Sequence, residues 1–192
     1  MSKFTTKLTT CAMAVALATV LSMLKLYHFP FGGSVTCFSM LVICLPGYWF
    51  GLGAGLLTGV AYGLLQLLID PYILFPLQLV VDYLLAFGAL GLSGIFSPRT
   101  KDTNAISVSD GRGIGDKRYL CLFLGYLTAI FGRYLFTVLS GWLFFAEYAW
   151  EGWNPLAYSL VYNGAYIFTE GLLTICLLAL PPVKKAILSM HK

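Results

Sequence analysis

Apolar residues run in long blocks along this chain: 8–26, 35–49, 52–69, 77–96, 119–139 and 156–180 each hold at most one charged residue. A helix rising about 1.5 Å per residue needs roughly 20 such residues to cross a hydrocarbon core of about 30 Å. The blocks therefore predict six transmembrane helices forming a single domain, an all-α membrane bundle. The second block is short for a crossing, so a tilted or broken span is expected there. Turn-forming residues separate the blocks: Phe29-Pro30-Phe31-Gly32-Gly33 after the first, Pro46-Gly47 after the second, Asp70-Pro71 after the third and Pro181-Pro182 after the sixth. The first block lacks a small-residue cleavage site before a soluble sequence, and reads as a span rather than a signal peptide.

The polar positions orient the bundle. Lys3 and Lys7, then Arg99, Lys101, Arg112, Lys117 and Arg118 in the 98–118 connection, then Lys184, Lys185 and Lys192, make ten of the twelve basic residues. Six spans put these three segments on one side, which the positive-inside rule assigns to the cytoplasm with both termini. Asp70, Glu147 and Glu151 fall on the other side.

Composition agrees with lipid as the solvent. Only 10% of the 192 residues are charged, against roughly a quarter in an ordinary soluble domain. The net charge of +4 is an orientation signal rather than a nucleic-acid surface. Cys11, Cys37, Cys44, Cys121 and Cys176 lie in or beside apolar runs without paired spacing, and read as small hydrophobes. With His28 in a loop and His191 in the tail, no metal site is expected, and no cofactor motif is present. Gly111-Arg112-Gly113-Ile114-Gly115 lacks the preceding strand and spacing of a phosphate cradle and reads as a linker.

Two small-residue patterns point to packing. Gly47, Gly51, Gly55, Gly59 and Gly63 recur every four residues, laying a smooth groove along the third span for a neighbouring backbone. In the first span Ala12/Ala16 and Ala14/Ala18 are each four apart. They fit either internal packing or a strip for another membrane protein.

Asp82, Arg133 and Glu170 fall inside spans, where each costs about 3 kcal/mol to insert. Asp82 and Arg133 sit at similar depth, so an internal ion pair and a ligand-binding role for Asp82 both stand. Glu170 lies deeper, towards the cytoplasmic end, with either an internal partner or a wet crevice. Around the Asp82 level gather Tyr62, Tyr72, Tyr83, Phe145, Tyr148, Trp150, Trp153, Tyr158, Tyr162 and Asn163. An acid ringed by aromatic faces suits a flat, delocalised cation, with about 0.5–2 kcal/mol of cation–π attraction per ring. Gln78 and Asn163 can add directional hydrogen bonds.

Gly32-Gly33-Ser34-Val35, Tyr62-Gly63-Leu64-Leu65-Gln66, Asp70-Pro71-Tyr72-Ile73-Leu74, Gln78-Leu79-Val80-Val81-Asp82-Tyr83 and the block from Gly141 to Asn163 resemble the thiamine-specific substrate-binding subunit of energy-coupling factor transporters. The resemblance runs in order over nearly the whole chain apart from the 98–118 loop. It implies six helices and a vitamin pocket near the outer surface, with Asp82 and Tyr83 facing the thiazolium. It adds Tyr72, Tyr158 and Asn163 to the pocket, and Arg133 beside the acid. Ala12 and Ala16 match a strip contacting a transmembrane coupling subunit, which is served by two ATPase subunits. Thr137 stands where some members have histidine; Tyr62 and Phe145 stand where tryptophan is common; Asp82 is one methylene shorter than the alternative Glu. The expected function is vitamin capture without catalysis, for thiamine or, as the alternative, a precursor, analogue or other vitamin. A stand-alone secondary transporter would show internal repeats, and an intramembrane enzyme a cluster of catalytic groups; neither pattern is found in the sequence.

Overall fold

In the computed structural model, residues 3–98 and 114–190 are described. The basic residues Arg99, Lys101, Arg112, Lys192 and most of the glycine-rich linker lie outside them. The described chain forms seven helices, α1 (Lys3–Met23), α2 (Ser39–Phe50), α3 (Leu52–Ile69), α4 (Pro76–Phe96), α5 (Ile114–Phe144), α6 (Pro155–Ala179) and α7 (Pro181–Ser189), plus a two-stranded hairpin, β1 (Lys25–His28) and β2 (Ser34–Thr36). Five helices are long and apolar enough to cross a membrane, and α2 is a shorter apolar one. Leu57, Leu68, Phe131 and Leu172 project from the outside of the bundle, as lipid-facing residues do. This is a multi-pass membrane protein.

Several boundaries depart from the hydropathy blocks. The chain around Lys25–Leu26 leaves the first helix and pairs as β1, antiparallel to β2, with Tyr27 opposite Val35 and His28 opposite Ser34. Val35 and Thr36, assigned to the second span by hydropathy, belong to β2. Their side chains are apolar or buried, so hydropathy could not separate a buried strand from a helix. Helix α5 starts inside the 98–118 connection and continues past residue 139.

Helix α2 is short because it does not begin at the membrane surface. Glu170, which contacts the start of α2, lies 15 residues into α6, so about 22 Å along that helix at 1.5 Å per residue. Thus β2 descends into the bundle and α2 completes the crossing. Met40, Ile43, Cys44 and Tyr48 are buried on it, packed with Ala18, Leu90, Leu122, Tyr126 and Ile167.

The glycine groove of α3 meets α4. A Cβ at Gly55 would stand 2.6 Å from the Gly91 carbonyl oxygen, one at Gly59 2.5 Å from that of Phe87, and one at Gly63 would overlap that of Tyr83. Backbone therefore lies on backbone, as the four-residue spacing predicts. On the facing side, α4 is irregular. Its turns widen over Leu79–Leu85, where the Ala86 N–H reaches back to the Val81 carbonyl, then tighten over Ala89–Phe96, where Ser97 N–H bonds Gly94. Wide turns of this kind are frequent at functional sites. Here the wide segment holds Asp82 and Tyr83.

Candidate functional site

A cavity opens at the hairpin end of the bundle, between α3, α4, α5, α6 and the hairpin. Tyr62, Tyr72, Gln78, Asp82, Tyr83, Arg133, Thr137, Phe145, Tyr158 and Asn163 all line it, as do Tyr148 and Tyr162, whereas Trp150 and Trp153, expected in the same ring, do not. The four-residue period of α6 aims Tyr158, Tyr162, Tyr166 and Glu170 at the same side.

Asp82 reaches the cavity from the widened turns of α4, near Gln78 and Ser140. Arg133 does not pair with it. Its guanidinium lies 4.1 Å over the Phe87 ring, and the single salt bridge among the described residues joins Lys25 to Asp70. Of the two roles left open for Asp82, the internal ion pair with Arg133 is therefore not formed: Phe87, one turn beyond Tyr83 on α4, takes the guanidinium face. Arg133 Nε is buried without a hydrogen-bond partner among the described residues, and Ser140 Oγ is buried beside Asp82. Such orphaned groups are rare, and at a cavity wall they mark places a ligand or water can satisfy.

Aromatic faces frame the acid. Tyr72 stacks on Phe145 with centroids 5.9 Å apart and planes 14° from parallel. Tyr158 stacks on Tyr162 at 5.8 Å and takes the edge of Trp150 at 5.4 Å. Tyr62 is buried, edge-on to Phe87 at 5.2 Å.

The polar residues divide between wall and scaffold. Gln78 Oε1 accepts from Leu74 N at 2.8 Å, and its Nε2 donates to the Tyr72 carbonyl at 2.9 Å. Tyr83 Oη accepts from Tyr72 N and donates to the Asp70 carbonyl. These two side chains brace the 70–75 turn. Asn163 Nδ2 donates to Ser159, and its Oδ1 accepts from Tyr166 Oη at 2.7 Å. Thr137 Oγ1 bonds back to the Arg133 and Tyr134 carbonyls.

Glu170 is only 2% exposed. Its carboxylate accepts from Thr36 N at 2.9 Å, Thr36 Oγ1 at 2.7 Å and Met40 N at 3.2 Å, with Ser39 Oγ at 3.5 Å. It thus has an internal role, capping α2 from another helix, where the positive end of the helix dipole also favours it. Sequence reasoning assigned no role to Glu170, Ser140 or Tyr166. The four-residue spacing from Tyr158 to Glu170 was the available signal.

A lipid-facing helical bundle enclosing an acid, an arginine and stacked rings near one end defines a membrane-embedded binding protein for small solutes. Residues 8–190 match the thiamine transporter protein family, Thia_YuaJ. The chain belongs to that family. It is 34% identical over 183 residues to the thiamine transporter ThiT of Bacillus subtilis, covering 92% of each chain. It is 28% identical over 123 residues to ThiT of Lacticaseibacillus paracasei, covering 62% of this chain and 58% of that one. Its structure is similar to the solved ThiT of Listeria monocytogenes, with a TM-score of 0.75 at 28% identity, over 95% of this chain and 98% of the other. The family's named activity is transport, not catalysis.

Proposed function

We propose that this protein is the substrate-binding membrane subunit of an energy-coupling factor importer and captures thiamine from outside the cell. The name thiamine transporter, borne by the relatives, supports the ligand. The observation that carries the reading is Asp82 in one cavity with the Tyr72–Phe145 stack and Tyr158. Thiamine joins a permanently cationic thiazolium to a neutral aminopyrimidine. The carboxylate neutralises the cation, ring faces add about 0.5–2 kcal/mol each, and the unpartnered Arg133 Nε offers a hydrogen bond to a heteroatom. Because Arg133 lies over Phe87, the charge of Asp82 is left for the ligand.

The basic segments support cytoplasmic termini; on that reading the cavity opens outward beneath the hairpin, and the hairpin is its lid. On α1, Ala14 and Ala18 are buried, whereas Ala12 and Ala16 are exposed. That division supports Ala12 and Ala16 as the strip on which a transmembrane coupling subunit docks, with two ATPase subunits supplying the energy.

Calorimetry of the purified protein with thiamine, its phosphate esters, its pyrimidine precursor and riboflavin tests the ligand. Thiamine is expected to bind most tightly. Tighter binding of the precursor or riboflavin, with thiamine weak, overturns the ligand and leaves a vitamin-binding subunit.

A further inference from the structure

Two residues on one face of α6 hold the segment that covers the cavity, and they hold it differently. Near the mouth, Tyr162 Oη accepts from Gly33 N at 3.0 Å and donates to the Pro30 carbonyl. Gly33 has no room for a side chain here, since a Cβ would lie 2.7 Å from that hydroxyl. Eight residues further along α6, Glu170 grips Thr36, Ser39 and Met40. The upper grip is one neutral hydroxyl, exposed to solvent at the Pro30 bond. The lower is a buried carboxylate with several donors, and hydrogen bonds to a charged group are roughly twice as strong as neutral ones. Before the upper grip β1 is exposed along its length, while Val35 and Thr36 on β2 are buried. Next to the lower grip, Phe38 sits at φ 62°, in the left-handed region. A bulky residue there is uncommon and persists only where its surroundings hold it.

We infer that Tyr162 is the releasable latch of the lid and Glu170 its fixed anchor, so that residues 25–34 swing while Thr36–Met40 stay on α6. The inference rests on the lid reading above and assigns its parts. The latch opposes passage in either direction. Removing it speeds association as well as dissociation, so affinity falls by less than the dissociation rate rises. A residue that acted by touching the ligand would instead raise the dissociation rate and weaken binding in proportion. Tyr162 therefore positions the lid, and Glu170 positions the start of α2.

Hydrogen exchange on the purified full chain tests the mechanics without any ligand. In Tyr162→Phe, which keeps the ring on Tyr158, exchange in 26–33 is expected to rise at least about fivefold, the loss of two neutral hydrogen bonds, with 36–41 unchanged. In Glu170→Gln, exchange in 36–41 is expected to rise as well. No change at 26–33 in Tyr162→Phe, or equal loosening of 36–41, overturns the division into latch and anchor. Stopped-flow tryptophan fluorescence with thiamine tests the gate: both rates are expected to rise severalfold in Tyr162→Phe, association as well as dissociation. A rise in the dissociation rate alone, or no change, overturns the latch. Absence of thiamine binding by the wild type counts against the ligand, and the exchange data still decide the hinge.

Discussion

The hydroxyl of Tyr83 spans the turn that carries Tyr72, accepting from Tyr72 N at 2.8 Å and donating to the Asp70 carbonyl at 3.2 Å. Tyr83 thus sets where Tyr72 stands, and Tyr72 in turn stacks on Phe145. One aromatic residue supports a wall of the cavity by placing another. Tyr83→Phe keeps the packing and removes both bonds. At about 0.5–1.5 kcal/mol for a neutral hydrogen bond, thiamine affinity is expected to fall roughly two- to tenfold, measured by calorimetry. An unchanged affinity would mean that Gln78 alone holds the turn.

Asp82 is expected to supply the charge for the ligand. Asp82→Asn keeps the size and the hydrogen-bonding edge but loses the anion, so binding should weaken by about 1–3 kcal/mol. A neutral flat analogue of thiamine should lose far less between wild type and variant. Equal losses for the cation and the neutral analogue would show that Asp82 shapes the cavity without compensating charge.

The α3–α4 seam gives a stability test with an internal control. A methyl at Gly63 would overlap the Tyr83 carbonyl oxygen, whereas one at Gly53 meets nothing within 4 Å. Gly63→Ala is expected to destabilise by about 1–3 kcal/mol, the usual range for overpacking, and to weaken binding because Asp82 and Tyr83 sit on the displaced turns. Gly53→Ala is expected to leave both unchanged. Thermal unfolding in detergent reads the difference.

Much of the bundle was legible because lipid imposes a simple rule: long apolar blocks become helices. The glycine period likewise carried its own meaning, and its partner turned out to be α4. Hydropathy could not reveal that the second block splits at residue 37 into a descending strand and a helix, since both are buried. Nor could it locate Arg133, whose depth matches Asp82 while its guanidinium rests on Phe87. Glu170 stayed unread for a related reason. Its donors are backbone and hydroxyl groups at 36–40, supplied by a fold that no local spacing encodes.

Lys25 and Asp70 form an ion pair at the cavity mouth, linking β1 to the end of α3, with the Asp70 side chain 58% exposed. Exposed pairs contribute about 0.2–1 kcal/mol and are screened by salt. Lys25→Gln should therefore change the thiamine association rate by no more than about fivefold, and high salt should erase the difference from wild type. A larger, salt-insensitive effect would make the pair a principal latch and demote Tyr162.

The two alanine pairs of α1 separate docking from folding. Ala14 and Ala18 are buried and Ala12 and Ala16 exposed, so the same substitution should fail in different ways on the two faces. Ala18→Trp must enter a closed core and is expected to lower thermal stability and yield. Ala12→Trp or Ala16→Trp points outward, so the purified protein should bind thiamine with wild-type affinity. In cells, uptake of labelled thiamine should be abolished, because the bulky ring keeps a coupling helix from approaching the strip closely. Normal uptake in both outward variants would remove this face as the docking surface.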